Sequence, residues 1–252
     1  TGDGVNQWTK RTAKVDALLQ KYHPEILGVQ EALSGMIADL KKMKALKGFD
    51  IVGVGRDDGK QAGEYSAICF NTKRFQKVTS GTFWLSPRPN IPGSVGWDAA
   101  LTRICTWVKL KDDSTEKVFF VFNTHFDHVG ETARQESAKL IVSKIGELAG
   151  DLPVIVMGDF NSEPSQKGYQ TIVSNTTHQL YDTHDAAAEK MFSDDCTFKG
   201  FEVKSDICKR IDFIFNDFNF RSSYYQIIDD NDGTYFPSDH KPVLAVSRFS
   251  GK

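Results

Sequence analysis

In Gly158-Asp159-Phe160-Asn161 an acid and an amide stand two residues apart, directly after the apolar run Val154-Ile155-Val156-Met157. Residues at the end of a buried strand are exposed enough to meet a substrate and held well enough to keep a geometry. Such a pair can serve a metal, its water and a phosphate oxygen. Gly, Asp, Asn, Ser and Pro also favour a plain strand-to-turn junction, so this stretch alone leaves both readings open. Other polar residues recur at the ends of apolar runs. Glu31 closes Leu27-Gly28-Val29-Gln30, and His125 follows Phe119-Phe120-Val121-Phe122-Asn123-Thr124. Asp212 sits inside Arg210-Ile211-Asp212-Phe213-Ile214-Phe215, and Asp239 and His240 precede the last apolar run. Gathered at one end of a sheet pair, these carboxylates would repel one another unless a cation lay between them. Hard oxygen ligands favour Mg²⁺ or Mn²⁺ over zinc. A metal with His and Asn suits phosphoryl chemistry, where charge develops on phosphate oxygens.

The elements that must carry these residues follow from hydrophobic period. Thr9 to Tyr22 repeats Val15, Leu18 and Leu19 on one helical face, with Pro24 just beyond. Ile26 to Glu31 reads as a buried strand, Ala32 to Leu46 as a helix, and Asp50 to Val54 as a strand. Gly55 to Glu64, rich in Gly and Asp, is a loop. Four strand-like segments follow: Tyr65 to Phe70, Phe75 to Leu85, Leu101 to Leu110 and Lys117 to Thr124. Ser86 to Asp98 holds three prolines and two glycines and is a long irregular loop, often a functional feature in a compact domain. Glu131 to Leu148 is an amphipathic helix, and Ser165 to Glu189 reads as mainly helical and irregular. Arg210 to Phe215, Phe218 to Ile228 and Val243 to Phe249 are the closing strands. No repeat or linker divides the chain, so it reads as one α/β domain over residues 1–252.

At 252 residues with 40% hydrophobic and 25% charged, the chain can bury a core without disulfides or structural metal. A net charge of −2 supplies no global field toward nucleic acid. No apolar run reaches a membrane span. Cys69, Cys105, Cys196 and Cys208 lack CxxC spacing, which argues against zinc. Cys69 and Cys105 lie in apolar runs as small hydrophobes. Whether Cys196 and Cys208 pair stays open. A start at Thr1 rather than Met suggests that a signal peptide, a tag or the first part of the domain was removed.

Leu27-Gly28-Val29-Gln30-Glu31, Asn123-Thr124-His125-Phe126-Asp127-His128, Gly158-Asp159-Phe160-Asn161, Arg210-Ile211-Asp212-Phe213-Ile214 and Ser238-Asp239-His240 resemble, in order, the motifs of the exonuclease–endonuclease–phosphatase superfamily. The resemblance covers essentially the whole chain. It implies a four-layer α/β sandwich of two packed, mainly antiparallel β-sheets flanked by helices. It also implies a Mg²⁺- or Mn²⁺-dependent phosphoric ester hydrolase. Carried over, Glu31 ligates the metal and Asp239 assists the metal or the nucleophile. Asp159 orients or deprotonates water, and Asn161 holds that water or the scissile phosphate. His240 polarises the phosphate or transfers a proton, with Asp212 fixing its ring. His125 stabilises the pentacovalent transition state. The superfamily normally opens with a strand bearing an Asn near the metal. None precedes Thr1 here: either that strand lies upstream of Thr1 or the metal site lacks a usual member, and the first is the expectation, since loss of the strand would expose a sheet edge.

Arg103 could reach a substrate phosphate or form a cross-strand ion pair. Tyr65 and Trp84 could line a cleft or pack in the core. Asp127 and His128 read as surface polar residues, and His184 as an ordinary helix-end residue. The weak net charge favours a small or single-stranded substrate over duplex DNA. Phosphodiester hydrolysis in single-stranded nucleic acid, a nucleotide or another small phosphoester is the first expectation. A phosphomonoesterase on a sugar or inositol phosphate is the second, and a catalytically silent binding module the third. Oligomeric state and compartment are not legible.

Overall fold

The computed structural model describes residues 3–251. A 3₁₀ turn, Gly4–Asn6, leads into α1 (Trp8–Tyr22), β1 (Ile26–Ala32) and α2 (Ser34–Leu40). Next come β2 (Phe49–Val52), β3 (Tyr65–Asn71), β4 (Phe75–Trp84), β5 (Ile104–Asp112) and β6 (Val118–His125). They are followed by α3 (Glu131–Ala149), β7 (Val154–Asp159), α4 (Lys167–Val173), β8 (Leu180–Asp182) and α5 (Thr183–Ala186). The chain ends with β9 (Glu189–Met191), β10 (Asp212–Asp217), β11 (Phe220–Ile227) and β12 (Val243–Phe249). The strand expected upstream of Thr1 lies outside the described residues.

One layer is a six-stranded sheet in the order β4-β5-β6-β7-β10-β8, antiparallel except for β6 beside β7. The facing layer is formed by two three-stranded sheets, β1-β3-β2 and β12-β11-β9. The central strands β6, β7 and β10 are buried on both faces, which is why their sequences are nearly continuous apolar runs, whereas β4 keeps an exposed middle. Alternation then sorts each run between two cores. Phe120, Phe122, Val156, Phe213 and Phe215 point toward Ile141, Val142 and Ile145 of α3. Phe119, Val121, Met157 and Ile214 point the other way, into the core shared with Ile68 and Phe70 of β3. A third core holds α1 and α2 against β1 and β3 through Leu19, Ile37, Leu40, Ala67 and Cys69. Helices therefore cover both outer faces of the sheet pair, the expected four-layer order. Among the described residues no helix is long and apolar enough to cross a membrane.

Three element readings are corrected. The second helix stops at Leu40 rather than Leu46. Met43 and Leu46 still reach the core, but through turns, and the Ala45 N–H donates to Asp16 Oδ1 on α1 (2.9 Å). The region Ser165–Glu189 holds two short helices and also the strand β8, and it ends where β9 begins. These three-residue strands form by pairing with β10 and β11, a tertiary contact that no local pattern announces. The segment from Leu101 joins its sheet only at Ile104, because the Ala100 and Leu101 N–H groups donate instead to the Asp127 carboxylate (3.1 and 3.2 Å).

β1 and β12 are edge strands among the described residues, and they face one another across a groove of about 380 Å³. Leu18, Leu19, Met157 and Phe213 line it, and one end reaches Glu31, Asp239 and His240.

Candidate active site

Strand register assembles the centre. His125 is paired with Asp159 across β6 and β7, and Asp159 with Asp212 across β7 and β10, so three neighbouring strand ends present His, Asp and Asp side by side. Gly158 lets the strands close up there: its φ is +146°, and a Cβ would meet the Thr124 carbonyl oxygen at 2.1 Å. Residues 237–240 bring His240 in from above, and Arg11 Nη1 of α1 holds that loop through the Pro237 carbonyl (2.8 Å). Asn123 links the layers, donating to the Val29 and Ala67 carbonyls (3.0 and 2.8 Å) and accepting from Gln30 (2.6 Å). That link fixes β1, where Glu31 sits at an irregularity between Val29 and Ala32 with φ of +60°.

His240 Nδ1 donates to Asp212 Oδ2 (2.8 Å), and its Nε2 is 3.9 Å from Asp159 Oδ2. His125 Nε2 is 3.3 Å from the same Asp159 oxygen and 4.0 Å from Glu31 Oε1. Asp159 Oδ1 accepts the Asn161 N–H (2.8 Å), and Asn161 Nδ2 donates to the Phe126 carbonyl (3.0 Å). Asn161 itself has φ of +43°, a left-handed turn that Asn tolerates. Glu31, His125, Asp159, Asn161 and His240 line a cavity of about 420 Å³ with Glu64, Leu101, Arg103, His128, Arg134, Glu163, Gln166, Phe198, Lys209, Ile211 and Asp239. Glu31, His125, Asp159, Asn161, Asp239 and His240 thus converge on one space, with Asp212 behind His240.

The electrostatics are unbalanced in an informative way. Asp159 is 4% exposed, and burial first, then the Asp212 charge, pushes its pKa up. Partial burial and the Asp239 and Glu64 carboxylates raise Glu31. Burial opposes the His240 imidazolium, but Asp212, Asp159 and Asp239 outweigh it and its pKa rises. His125 moves the other way, held neutral by burial and by Arg103. Oxygen donors that repel one another in a cavity suit a divalent cation. Asp159, Asp212 and His240 each offer an atom within 4.8 Å of the others.

Arg103 is 4% exposed, with Nη2 3.0 Å from His128 Nδ1 and Nε 3.5 Å from Asp127 Oδ2, while Nη1 has no partner. A buried guanidinium with an unmet donor on a cavity wall is placed for an anion. Tyr65 is not on that wall. It packs with Leu19 and Leu40, and its hydroxyl donates to the Lys60 carbonyl (2.9 Å), so it shapes the 55–64 loop from beneath. Trp84 is likewise buried, its Nε1 donating to the Arg56 carbonyl (2.6 Å).

Asp127 is no surface residue: at 1% exposure it accepts the N–H groups of Ala100, Leu101, Val129 and Gly130. Its carbonyl takes Arg134 Nη1 (3.0 Å), so one residue seats two cavity arginines. The spacing Asp127-x-x-Gly130 before a helix was the available signal for this capping turn. Phe198, Lys209 and Arg134 were also missed, because each comes from a segment whose local pattern carries no chemistry. Cys196 and Cys208 form a disulfide, and Cys69 and Cys105 are buried thiols.

Comparison with known proteins places these features in a family context. The sequence model of the endonuclease/exonuclease/phosphatase family matches residues 2–240. The crystal structure of an endonuclease/exonuclease/phosphatase from Bacteroides vulgatus is similar at 38% identity and a TM-score of 0.92, over 98% of this chain and 94% of that one. A mannosyl-6-phosphatase from Bacteroides thetaiotaomicron is similar at 38% identity and a TM-score of 0.90, over 97% of this chain and 92% of that one. A probable RNA exonuclease of Saccharomyces cerevisiae is 28% identical over 179 residues, which is 66% of this chain and 34% of that protein.

Proposed function

The chain belongs to the endonuclease/exonuclease/phosphatase family, and from that membership we propose that it is a divalent-metal-dependent phosphomonoesterase acting on a small sugar-like phosphate. The observation that carries this reading is the cavity. Its lining has five carboxylates, Glu31, Glu64, Asp159, Glu163 and Asp239, against the basic Arg103, Arg134 and Lys209. A polyanionic strand needs a line of Lys and Arg along its backbone. A compact polyol phosphate needs one anion contact and several hydrogen-bonding groups, which Arg103, Glu163, Gln166 and Arg134 provide. The similarity to a mannosyl-6-phosphatase supports the same choice. It reverses the order in which the sequence ranked monoester and diester.

Glu31 and Asp239 would hold the cation, Mg²⁺ or Mn²⁺, which when bound offsets phosphoryl charge and acidifies water. Asp159, with its raised pKa, accepts the proton of the attacking water. Asn161, pinned by the Phe126 carbonyl, orients that water or a phosphoryl oxygen. His240 keeps Nδ1–H on Asp212 and donates from Nε2 to the leaving oxygen. Asp159 and His240 are therefore a base and an acid separated by environment. His125, kept neutral, brings a ring N–H to the phosphoryl group without adding charge. Arg103 Nη1 takes a non-bridging oxygen.

The test is hydrolysis of hexose 6-phosphates and p-nitrophenyl phosphate beside bis-p-nitrophenyl phosphate, with Mg²⁺, Mn²⁺ or chelator. Monoester turnover that chelator abolishes is expected. Faster diester turnover would instead support a phosphodiesterase, the reading favoured by similarity to the yeast exonuclease.

A further inference from the structure

A segment outside the motif set is built onto the catalytic loop. The Cys196–Cys208 disulfide, with Cα atoms 4.9 Å apart and a sequence separation of 12, closes it. Inside it, Thr197 Oγ1 accepts the Ile211 and Asp212 N–H groups (2.9 and 3.0 Å), and the Thr197 carbonyl accepts the Lys241 N–H (2.6 Å). The Lys199 and Gly200 N–H groups donate to the Asp239 carbonyl (3.2 and 3.0 Å). Phe198 bridges Lys209 on one side and His240 on the other, and its ring lies 4.8 Å from the His240 ring. Just before the disulfide, Asp194 holds the buried Lys241 ammonium (2.6 Å). The segment therefore grips both β10 at Asp212 and the loop that carries His240, and it sets an aromatic ring, tilted by 52°, against the imidazole.

We propose that Phe198 is a positioning residue for His240 and that the Cys196–Cys208 disulfide is the redox-sensitive brace that keeps it in place. This rests on the hydrolase reading above. Hydrogen bonding to Asp212 sets one ring nitrogen but leaves the imidazole free to tilt about that contact. The Phe198 ring removes the tilt. Cys208 is exposed and Cys196 is buried. A thiolate of a dithiol reductant therefore attacks Cys208 Sγ, the S–S bond breaks and Cys196 leaves. The second thiol of the reductant then displaces Cys208, so the protein gains two electrons and two protons while the reductant becomes a disulfide. Cys69 and Cys105, both buried, stay outside this exchange.

The experiment compares oxidised and dithiothreitol-reduced protein, with thiol counting, circular dichroism and steady-state kinetics on the phosphomonoester. Reduction lowers kcat about tenfold or more, the scale of a misplaced catalytic group, with KM unchanged and full recovery on reoxidation. A Cys196→Ser/Cys208→Ser variant matches the reduced protein and ignores dithiothreitol. Phe198→Leu loses kcat with the disulfide intact, and Phe198→Tyr restores it. Hydrogen exchange at Ile211, Asp212 and Lys241 accelerates on reduction. Complete reduction with unchanged kcat and exchange overturns the proposal, as does reduction that melts the whole domain at assay temperature. Should the oxidised protein hydrolyse no phosphoester, the hydrolase reading fails, and the exchange measurement still decides whether the brace exists.

Discussion

Two clusters of Asp and His stand on the same sheet, one on each side of β10. On the β7 side, Asp159 Oδ1 has one backbone donor, while Oδ2 has only a long bond from Asn161 Nδ2 (3.4 Å), faces two imidazoles at 3.3 and 3.9 Å and feels the Asp212 and Glu31 charges. On the β8 side, Asp182 Oδ1 accepts the His184 N–H (2.9 Å), and Oδ2 accepts Arg210 Nη1 (2.7 Å) and the Tyr169 hydroxyl (3.0 Å). Both acids are 4% exposed. Only the first lines the cavity of about 420 Å³. Asp182, His184 and Asp185 also meet the simple geometric criterion for holding a metal, yet Asp182 is already matched by a guanidinium and a phenol. A buried carboxylate whose oxygens are all paired holds a fold together. One left with residual repulsion beside a cavity is a candidate for chemistry, held at a cost in stability.

The widest separation between the clusters is expected from neutral replacements. Asp159→Asn and His240→Ala should each lower kcat about 10²- to 10⁴-fold, the range for losing a general acid or base. Metal-free Asp159→Asn should melt no lower than the parent, since it removes a repelled charge. A turnover loss under tenfold for both would dissolve the contrast. Asp182→Asn should do the opposite. It strands the buried Arg210 charge and costs about 3–5 kcal/mol in urea unfolding, while the folded fraction keeps its kcat.

A divalent cation at a hundredfold excess over its Kd should stabilise the parent by about 2.7 kcal/mol. Glu31→Gln should erase most of that gain and Asp182→Asn none of it. Equal gains in both variants would place the cation elsewhere. Asp127 sharpens the comparison as an intermediate case, being buried and fully bonded yet in contact with the cavity residues Arg103 and Arg134. Burial alone would raise its pKa, but four backbone N–H groups lower it to about 2. A depressed folded pKa stabilises above the unfolded value and loses that stability as pH falls through the folded one. Asp127→Asn should therefore cost roughly 1–2 kcal/mol at neutral pH. The deficit should shrink between about pH 4 and pH 2; a pH-independent deficit would assign the loss to packing instead.

Much of this was legible locally. Each motif acid, amide or histidine adjoins an apolar run long enough to be a strand, and a strand end is a place where a polar side chain is both held and exposed. The paired cores were also implicit, since Phe119-Phe120-Val121-Phe122 can only be buried on both faces. Tyr65 and Asp127 went astray for a common reason. An aromatic beside a loop and an acid after a strand look the same whether they face solvent or the interior. Phe198 gave no sign and the Cys196–Cys208 pairing stayed open, because the segment that holds them is ordered by its contacts with residues 209–212 and 239–241.

What the sequence by itself determined is the order of the longer elements, the double-sided burial of the central strands and which acids, amide and histidines stand at the strand ends. These follow from residue type and from periods of two and 3.6, which act over a few residues. Only the tertiary structure decided which acids are neutralised and which still repel, that Arg103 keeps an unmet donor, and that Phe198 lies on His240. Charge balance and desolvation depend on groups far apart along the chain, and they acquire values only when packing brings those groups together.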